Sequence, residues 1–363
     1  MSRPASRRRI VRTVVVAAAA GTLGIAVIPV AANASSGAGI VRSVIDTAHA
    51  YRHGIVLDRE AAPITLPNPL AILTQLSYGG GNNGVGVTTG APEVYVVFWG
   101  SQWGTASTNA KGDTTLSNDP AGAAPIVQEF FKGLGTGGEG WSKVMTQYCE
   151  GISSGSAACP TSAPHVGYPT GGAFAGVWYD NSVAAPDSAT STQIGQEAVN
   201  AAGHFGNTTA ALNRNAQYAI LSPTGTHPDG YNTSSSNWCA WHDWTGDVSV
   251  TSPYGDVAFS NDPYQLDQGS NCGENFVNGG SAGVADGFTI VFGHEYAETI
   301  TDQFPSGGWT DIQGSENGDK CAWISSGQGA SQDITLTTGS FPVQSTWAND
   351  FNGGQGGCEI THS

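Results

Sequence analysis

The chain has 363 residues, and its 13 Lys and Arg against 29 Asp and Glu give a formal net charge of −16 at pH 7. So acidic a chain is repelled by nucleic acid and by anionic membrane surfaces, so neither is an expected partner. Only 12% of the residues are charged whereas glycine occurs 51 times, a composition that favours a loop-rich extracellular protein.

The first 34 residues have the pattern of a secretory signal peptide. Their basic start contains Arg3, Arg7, Arg8, Arg9 and Arg12. An apolar stretch follows at 14–30, and a small-x-small cleavage site lies at 32–34. We therefore predict removal of residues 1–34 and a secreted mature protein without a membrane span. The arginines also fit a twin-arginine signal, so two export routes remain open.

Residues 35–78 form a predicted leader. Apolar residues recur at helical spacing between residues 40 and 48, which predicts a short helix. Pro63, Pro67 and Pro69 then interrupt regular structure. Two interpretations remain open, namely an N-terminal arm that packs on the following domain and a pro-segment that is removed after export. Residues 79–363 are predicted to form one domain.

Apolar runs beyond residue 79 predict strands and helices in alternation. The predicted strands are 93–99, 172–179 and 217–222, the predicted helices are 125–134, 192–205 and 288–301, and the aromatic stretch 238–244 is expected to cross the functional site. This order indicates an α/β (α+β) fold with a mixed sheet and a loop-rich C-terminal part.

Six cysteines remain in the exported chain, and an even number predicts three disulfides. Fifteen pairings are possible. Sequence proximity favours Cys149–Cys159, Cys239–Cys272 and Cys321–Cys358. Because no two cysteines have C-x-x-C spacing, a cysteine zinc site is not expected.

The helix predicted at 288–301 contains the segment His294-Glu295-x-x-Glu298 in apolar surroundings. Helical residues four apart share a face, so His294 and Glu298 can bind one metal ion, while Glu295 can activate a water molecule. The alternative is a hydrogen-bonded His and Glu network. Burying these groups without partners would cost several kcal/mol, which favours a cation. Asp286 is expected to cap the helix N-terminus.

A third ligand is predicted at Glu316, 18 residues after Glu298. In the gluzincin peptidases a glutamate at a comparable distance is the third ligand, and an aspartate close behind it supports the first histidine. The segment from Glu316 to Asp319 resembles that arrangement, so Asp319 is expected to support His294. Asp302 is a rival ligand, but its position two turns from His294 favours a supporting role.

Two further residues carry alternative chemistry. His242 is a candidate oxyanion donor, although an ordinary hydrogen-bonded histidine is the competing interpretation. Ser281 lies in a G-x-S-x-G match that would make a serine hydrolase, but a hydrophobic strand should precede such a motif and the sequence there is polar. Zinc is the expected metal, yet an oxygen-rich ligand set also tolerates manganese or calcium, and calcium is a further candidate for a structural site.

Four segments together resemble one protein family. They are the strand 94–100, the Cys239-x-x-His242 stretch, the helix end 297–302 and the Glu316-x-Gly-Asp319-x-Cys321 segment. Over about residues 65–360 the chain is similar to the Exordium or phosphate-induced protein family, and closest to its bacterial members. The resemblance implies a secreted zincin-like α/β domain with site residues His294, Glu295 and Glu298, and it names no substrate.

The predicted function is therefore that of a secreted, monomeric zinc metallopeptidase acting on extracellular proteins or peptides, with residues 79–363 as its catalytic domain. Strand 93–99 or a neighbour would offer its edge to an extended peptide. The alternative from another class is a non-catalytic extracellular or wall-binding protein whose metal is structural. Glu295 separates the two, because a structural site needs no free carboxylate beside its ligands.

Overall fold

The computed structural model describes residues 49–62 and 75–363. The predicted signal peptide, the helix predicted between residues 40 and 48 and the three prolines of the leader lie outside these ranges. Both described stretches fall within one unit, Ala38–Ser363. Within them, no helix has the length and apolarity needed to cross a membrane.

The described residues form a mixed α/β fold. The strands are β1 His53–Leu57, β2 Ser77–Tyr78, β3 Glu93–Trp99, β4 Ala106–Thr108, β5 Thr114–Leu116, β6 Phe174–Asp180, β7 Ala216–Leu221, β8 Trp238–Trp244, β9 Ala258–Asp262, β10 Trp309–Thr310, β11 Gln332–Leu336, β12 Gly339–Val343, β13 Thr346–Ala348 and β14 Gly357–Glu359. The helices are α1 Ala123–Gly133, α2 Ser191–Phe205, α3 Asp286–Thr301 and α4 Phe351–Gly354. Short 3-10 helices lie at Ser101–Trp103, Ser142–Gln147, Pro228–Gly230, Gln265–Asp267, Gly269–Cys272, Gly280–Ala282 and Asp319–Cys321.

A six-stranded sheet in the order β1-β8-β9-β7-β3-β6 organises the fold. Strands β9, β7, β3 and β6 run parallel, whereas β8 is antiparallel to β9 and β1 is antiparallel to β8. All six residues of β7 are buried, as expected for a strand in the middle of a parallel sheet. Helix α2 packs on β7, β9 and β3, while α3 packs on β8, β9 and β1 and also contacts α1.

The predicted strands and helices of the domain are confirmed, with shifts of no more than two residues at their ends. The capping box of Thr190 and Gln193 begins α2, and Gly206 in the left-handed region ends it, which explains why the sequence marks that helix clearly. Of the expected peptide edges, β3 itself is excluded because β7 and β6 pair with its two sides, whereas its neighbour β6 lies at an edge of the sheet. The edges of this sheet are β1 and β6.

All three predicted disulfides are present. They join Cys149 to Cys159, Cys239 to Cys272 and Cys321 to Cys358. The second of these anchors β8, and the third anchors the segment that follows Glu316. Cross-links of this kind typically contribute about 2–4 kcal/mol, and they are consistent with an extracellular protein.

The buried carboxyl of Glu197 on α2 makes the stability of the fold depend on pH. Burial, and then the charge of Asp180, raise its pKa to about 8. The folded state therefore retains a proton that the unfolded chain loses near pH 4.5, so stability falls as the pH rises from about 4.5 to about 8. We expect Glu197→Gln to match the wild type at pH 4 and to exceed it at pH 9 by on the order of a few kcal/mol in chemical denaturation. A constant difference between the two proteins across this range would contradict the raised pKa.

Candidate metal centre

Helix α3 is buried along its whole length, from Asp286 to Thr301. A helix that is apolar on all sides lies in a core rather than on a surface. The predicted cap at Asp286 is wrong, because Ala285 occupies the N-cap position. The carboxylate of Asp286 instead accepts the backbone N–H groups of Val277 and Asn278, at 2.9 and 2.7 Å. It therefore fixes the preceding loop against the start of the helix.

The structure brings His294 and Glu298 together on one face of α3. Nε2 of His294 and Oε2 of Glu298 are 2.9 Å apart, yet neither atom has a partner in hydrogen-bond geometry. Oε1 of Glu298 accepts the backbone N–H of Asp319 at 2.8 Å. This separation suits an ion pair between protonated His294 and Glu298, and it also suits two ligands of a common ion.

Gln344 orients the imidazole of His294. Its Oε1 lies 3.0 Å from Nδ1 of His294, and its amide donates to the carbonyl of Gly318 at 2.9 Å. This contact assigns the proton to Nδ1 and leaves Nε2 free to bind a metal. The sequence assigned this support to Asp319, but Oδ1 of Asp319 lies 3.8 Å from Nε2, on the ligand side of the ring. Asp319 is thus placed among the donors rather than behind them.

His242 enters the same cluster from strand β8. Its Nε2 lies 3.2 Å from Oε2 of Glu316 and 3.9 Å from Oε2 of Glu298. Two donor groups result, one of His242, Glu298 and Glu316 and the other of His294, Glu298 and Asp319. Glu298 is common to both groups. The expected ligands Glu298 and Glu316 both lie near Nε2 of His242, so they are close to each other.

Within each of the two donor groups, the measured separations fit one metal ion. Bonds of about 2.0–2.2 Å in tetrahedral geometry place neighbouring ligand atoms about 3.3 Å apart. The four measured separations run from 2.9 Å, between His294 and Glu298, to 3.9 Å, between His242 and Glu298. Every donor of the two groups except Asp319 is nearly or fully buried, with exposures of 0–2%.

The carboxylates of the cluster oppose one another's ionisation. Burial raises the pKa of Glu316 well above its usual range, and the charges of Asp302 and Glu298 add to the effect. Burial and then the charge of Glu298 raise the pKa of Asp319 to about 8. A divalent cation would offset this repulsion, so the carboxylates present fit such an ion.

The two imidazoles differ in their electrostatic surroundings. Burial, with the neighbouring His53 and His294, holds the pKa of His242 well below its usual value, so His242 is neutral, which is the form that binds a metal. Burial also opposes the charged form of His294, but the carboxylates of Glu298 and Asp319 outweigh it and raise its pKa to about 9. Metal binding at His294 must therefore displace a proton.

The side chain of Glu295 is buried beside this cluster and makes no hydrogen bond. The residue is 1% exposed, and neither carboxylate oxygen has a hydrogen-bond partner. Burial raises its pKa well above the usual value, followed by the charges of Glu298 and Asp262. An unpaired buried carboxyl is costly, and groups of this kind are concentrated at functional sites.

Two other predicted residues do not belong to the donor groups. Asp302 ends α3, and its carboxylate accepts the N–H groups of Ser306 and Gly308, so it supports the turn after the helix. Ser281 is exposed in the 3-10 helix Gly280–Ala282. Among the described residues, no histidine is hydrogen-bonded to Ser281, and no hydrophobic strand immediately precedes it.

Two glycines close the cluster. A Cβ on Gly318 would lie 2.9 Å from Nδ1 of His294 and from Oε1 of Glu298. A Cβ on Gly54, in strand β1, would lie 2.6 Å from Cδ2 of His242 and would overlap Oε2 of Glu298. Only glycine, which has no side chain, lets the backbone at these two positions lie so close to the donor atoms.

Comparisons of the chain with protein-family models, with curated proteins and with solved structures give no match. Function must therefore be argued from the chemistry of the cluster, since a fold alone does not determine an activity.

Proposed function

We propose that the protein is a secreted zinc-dependent metallopeptidase with a zincin-like catalytic domain. The observation that carries the proposal is the pairing of a His and Glu donor set on α3 with the unpartnered carboxyl of Glu295 on the same helix. A structural metal site would have no use for that carboxyl, whereas a hydrolase needs a base beside its metal ligands.

Three of the residues Glu298, His294, His242 and Glu316 would hold the ion, and its fourth position would be left for water. Two imidazoles and two carboxylates suit zinc better than the oxygen-rich set expected from the sequence, because the second imidazole makes manganese and calcium less favourable. When bound, zinc would polarise the scissile carbonyl and lower the pKa of a coordinated water. Asp319 would flank the set and fix Glu298 through its backbone N–H.

Glu295 would act as the general base and then as the general acid. Its ionised carboxylate would accept a proton from the attacking water. The environment that raises its pKa suits the second half of the cycle, because a protonated Glu295 can pass its proton to the departing amine. No hydrogen bond restrains the carboxyl from turning between these two positions.

The surroundings of the cluster support a peptide as the substrate. Strand β8 carries His242 and is antiparallel to its sheet neighbour β9. An extended peptide pairs with a strand edge through main-chain hydrogen bonds, and a peptide that replaced β1 on β8 would lie beside His242. The resemblance to bacterial members of the Exordium family agrees with this proposal and adds no substrate.

A non-catalytic role for the metal is the second candidate. It is favoured by the number of buried donors, because four protein ligands are typical of a closed structural zinc site. Such a protein would bind zinc as tightly as the peptidase and would hydrolyse nothing. The two candidates therefore differ in activity rather than in metal content.

The test is metal analysis of the full chain combined with casein or gelatin hydrolysis. We expect about one zinc per chain, loss of hydrolysis after chelation and recovery on adding zinc. Ser281→Ala should keep full activity. Hydrolysis that survives chelation, or that is lost in Ser281→Ala alone, would reject the metallopeptidase in favour of a serine hydrolase. Bound zinc without hydrolysis, also in variants that open the site, would favour the structural role.

A further inference from the structure

Strand β1 lies along the edge of β8, where the proposed function requires a substrate. It is antiparallel to β8, with His53 opposite His242 and Val56 opposite Ala240. The pairing has an irregularity between His53 and Val56. Two residues lie inside that irregularity, and one of them, Gly54, is the residue whose backbone approaches the donors.

Gly54 fits over the cluster because it has no side chain. Its φ of +51° lies in the left-handed region, which glycine adopts without strain. A Cβ there would meet both His242 and Glu298. The left-handed turn also takes the chain out of the extended conformation of a bound peptide, so β1 covers the donors without presenting an extended peptide bond to them.

Contacts at both ends hold β1 in place. Nε of Arg52 pairs with Oδ2 of Asp229 at 2.6 Å, and the guanidinium lies 5.2 Å from the ring centre of Trp238. At the other end, Nε1 of Trp323 donates to the carbonyl of Leu57 at 2.7 Å. These anchors at the ends are polar, whereas Val56 in the middle of β1 is fully buried in the core, so release of β1 would also expose an apolar side chain.

We propose that the edge of β8 is the peptide-binding strand of the enzyme and that His53–Leu57 occupies it as an internal inhibitor. The inference rests on the proposed function. It assigns the substrate class as extended peptides that pair antiparallel with β8. Release of β1 opens the site. The predicted pro-segment of residues 35–78 would therefore inhibit the enzyme through β1.

The first test uses two full-length variants that weaken the attachment of β1 to the rest of the protein in different ways. Gly54→Ala places a Cβ against the donors, and Arg52→Ala removes the ion pair with Asp229. The matched control is Gly112→Ala, since Gly112 also has a left-handed φ, of +87°, but no atoms within 4 Å of its Cβ position. We expect hydrolysis to rise about tenfold in both variants and to stay at the wild-type rate in the control.

The second readout is independent of activity. With zinc loaded, the rate at which a chelator removes the metal should rise about tenfold in Arg52→Ala, because β1 no longer shields the donors. The inference is overturned if hydrolysis and chelation in Arg52→Ala both equal those of the control while Glu295-dependent activity persists; the proposed function would then stand. Faster chelation with no hydrolysis in any variant would overturn both, and β1 would be the cover of a structural metal.

The substrate class is tested with otherwise identical peptides that carry an N-methyl group at one position at a time. Cleavage by Arg52→Ala should be lost where the methyl group removes a main-chain N–H that pairs with β8. Equal cleavage of all the peptides would overturn the assignment of β8 as the peptide-binding strand.

Discussion

Replacing Glu295 with glutamine is expected to leave zinc bound and to reduce peptide hydrolysis by about 10² to 10⁴-fold. The amide has nearly the same shape as the carboxyl, but it cannot accept the proton of the attacking water. Burial raises the pKa of Glu295 well above its usual value, so the folded protein must take up a proton that glutamine does not need. The same change should therefore raise the thermal stability of the metal-free protein at neutral pH. A loss of activity together with a gain in stability is the pattern of a group retained for catalysis.

The comparison should be made in the Arg52→Ala background as well as in the wild type, so that β1 does not mask the difference. Zinc content is measured on the same samples. Full hydrolysis in Glu295→Gln would contradict the role of general base. Loss of zinc would instead make Glu295 a ligand.

The second large effect is expected for Glu298→Gln, because Glu298 belongs to both donor groups. Removing this carboxylate should weaken zinc binding by at least about a hundredfold. The variant also lacks the negative charge that pairs with the imidazole of His294 and raises its pKa to about 9. Added zinc should then raise the melting temperature of the wild type but not that of the variant.

Glu93→Gln is the matched control for this change. Glu93 is an exposed glutamate at the start of β3, so its replacement removes one negative charge without touching the cluster. It should bind zinc as the wild type does and show the same rise in melting temperature. Equal zinc stabilisation of Glu298→Gln would show that the ion binds elsewhere.

Features set by local sequence were predictable. Helix α3 is marked by its apolar run, the pair His294 and Glu298 by helical spacing, and the disulfides by proximity along the chain. Each depends on residues that are near one another in sequence or on a periodicity of a few residues. The N-cap of α3 was predicted wrongly, because tertiary contacts direct the carboxylate of Asp286 to the preceding loop instead.

Features set by strand pairing were not predictable. His242 reaches the cluster because β8 lies over α3, and no spacing rule connects it to His294 along the chain. Gln344 supports His294 from the loop after β12, and no motif marks a single glutamine. The edge position of β1 depends on pairing His53 with His242, so the sequence could suggest a leader but could not show where it lies.

The ligand assignment is tested most directly by anomalous diffraction at the zinc absorption edge from crystals of the zinc-loaded full-length protein. We expect one strong peak per chain, within about 2.0–2.2 Å of a carboxylate oxygen of Glu298 and of the Nε2 atoms of His242 and His294. A peak at another site, or no peak in protein that retains full activity, would contradict the zinc centre on which the proposed function depends.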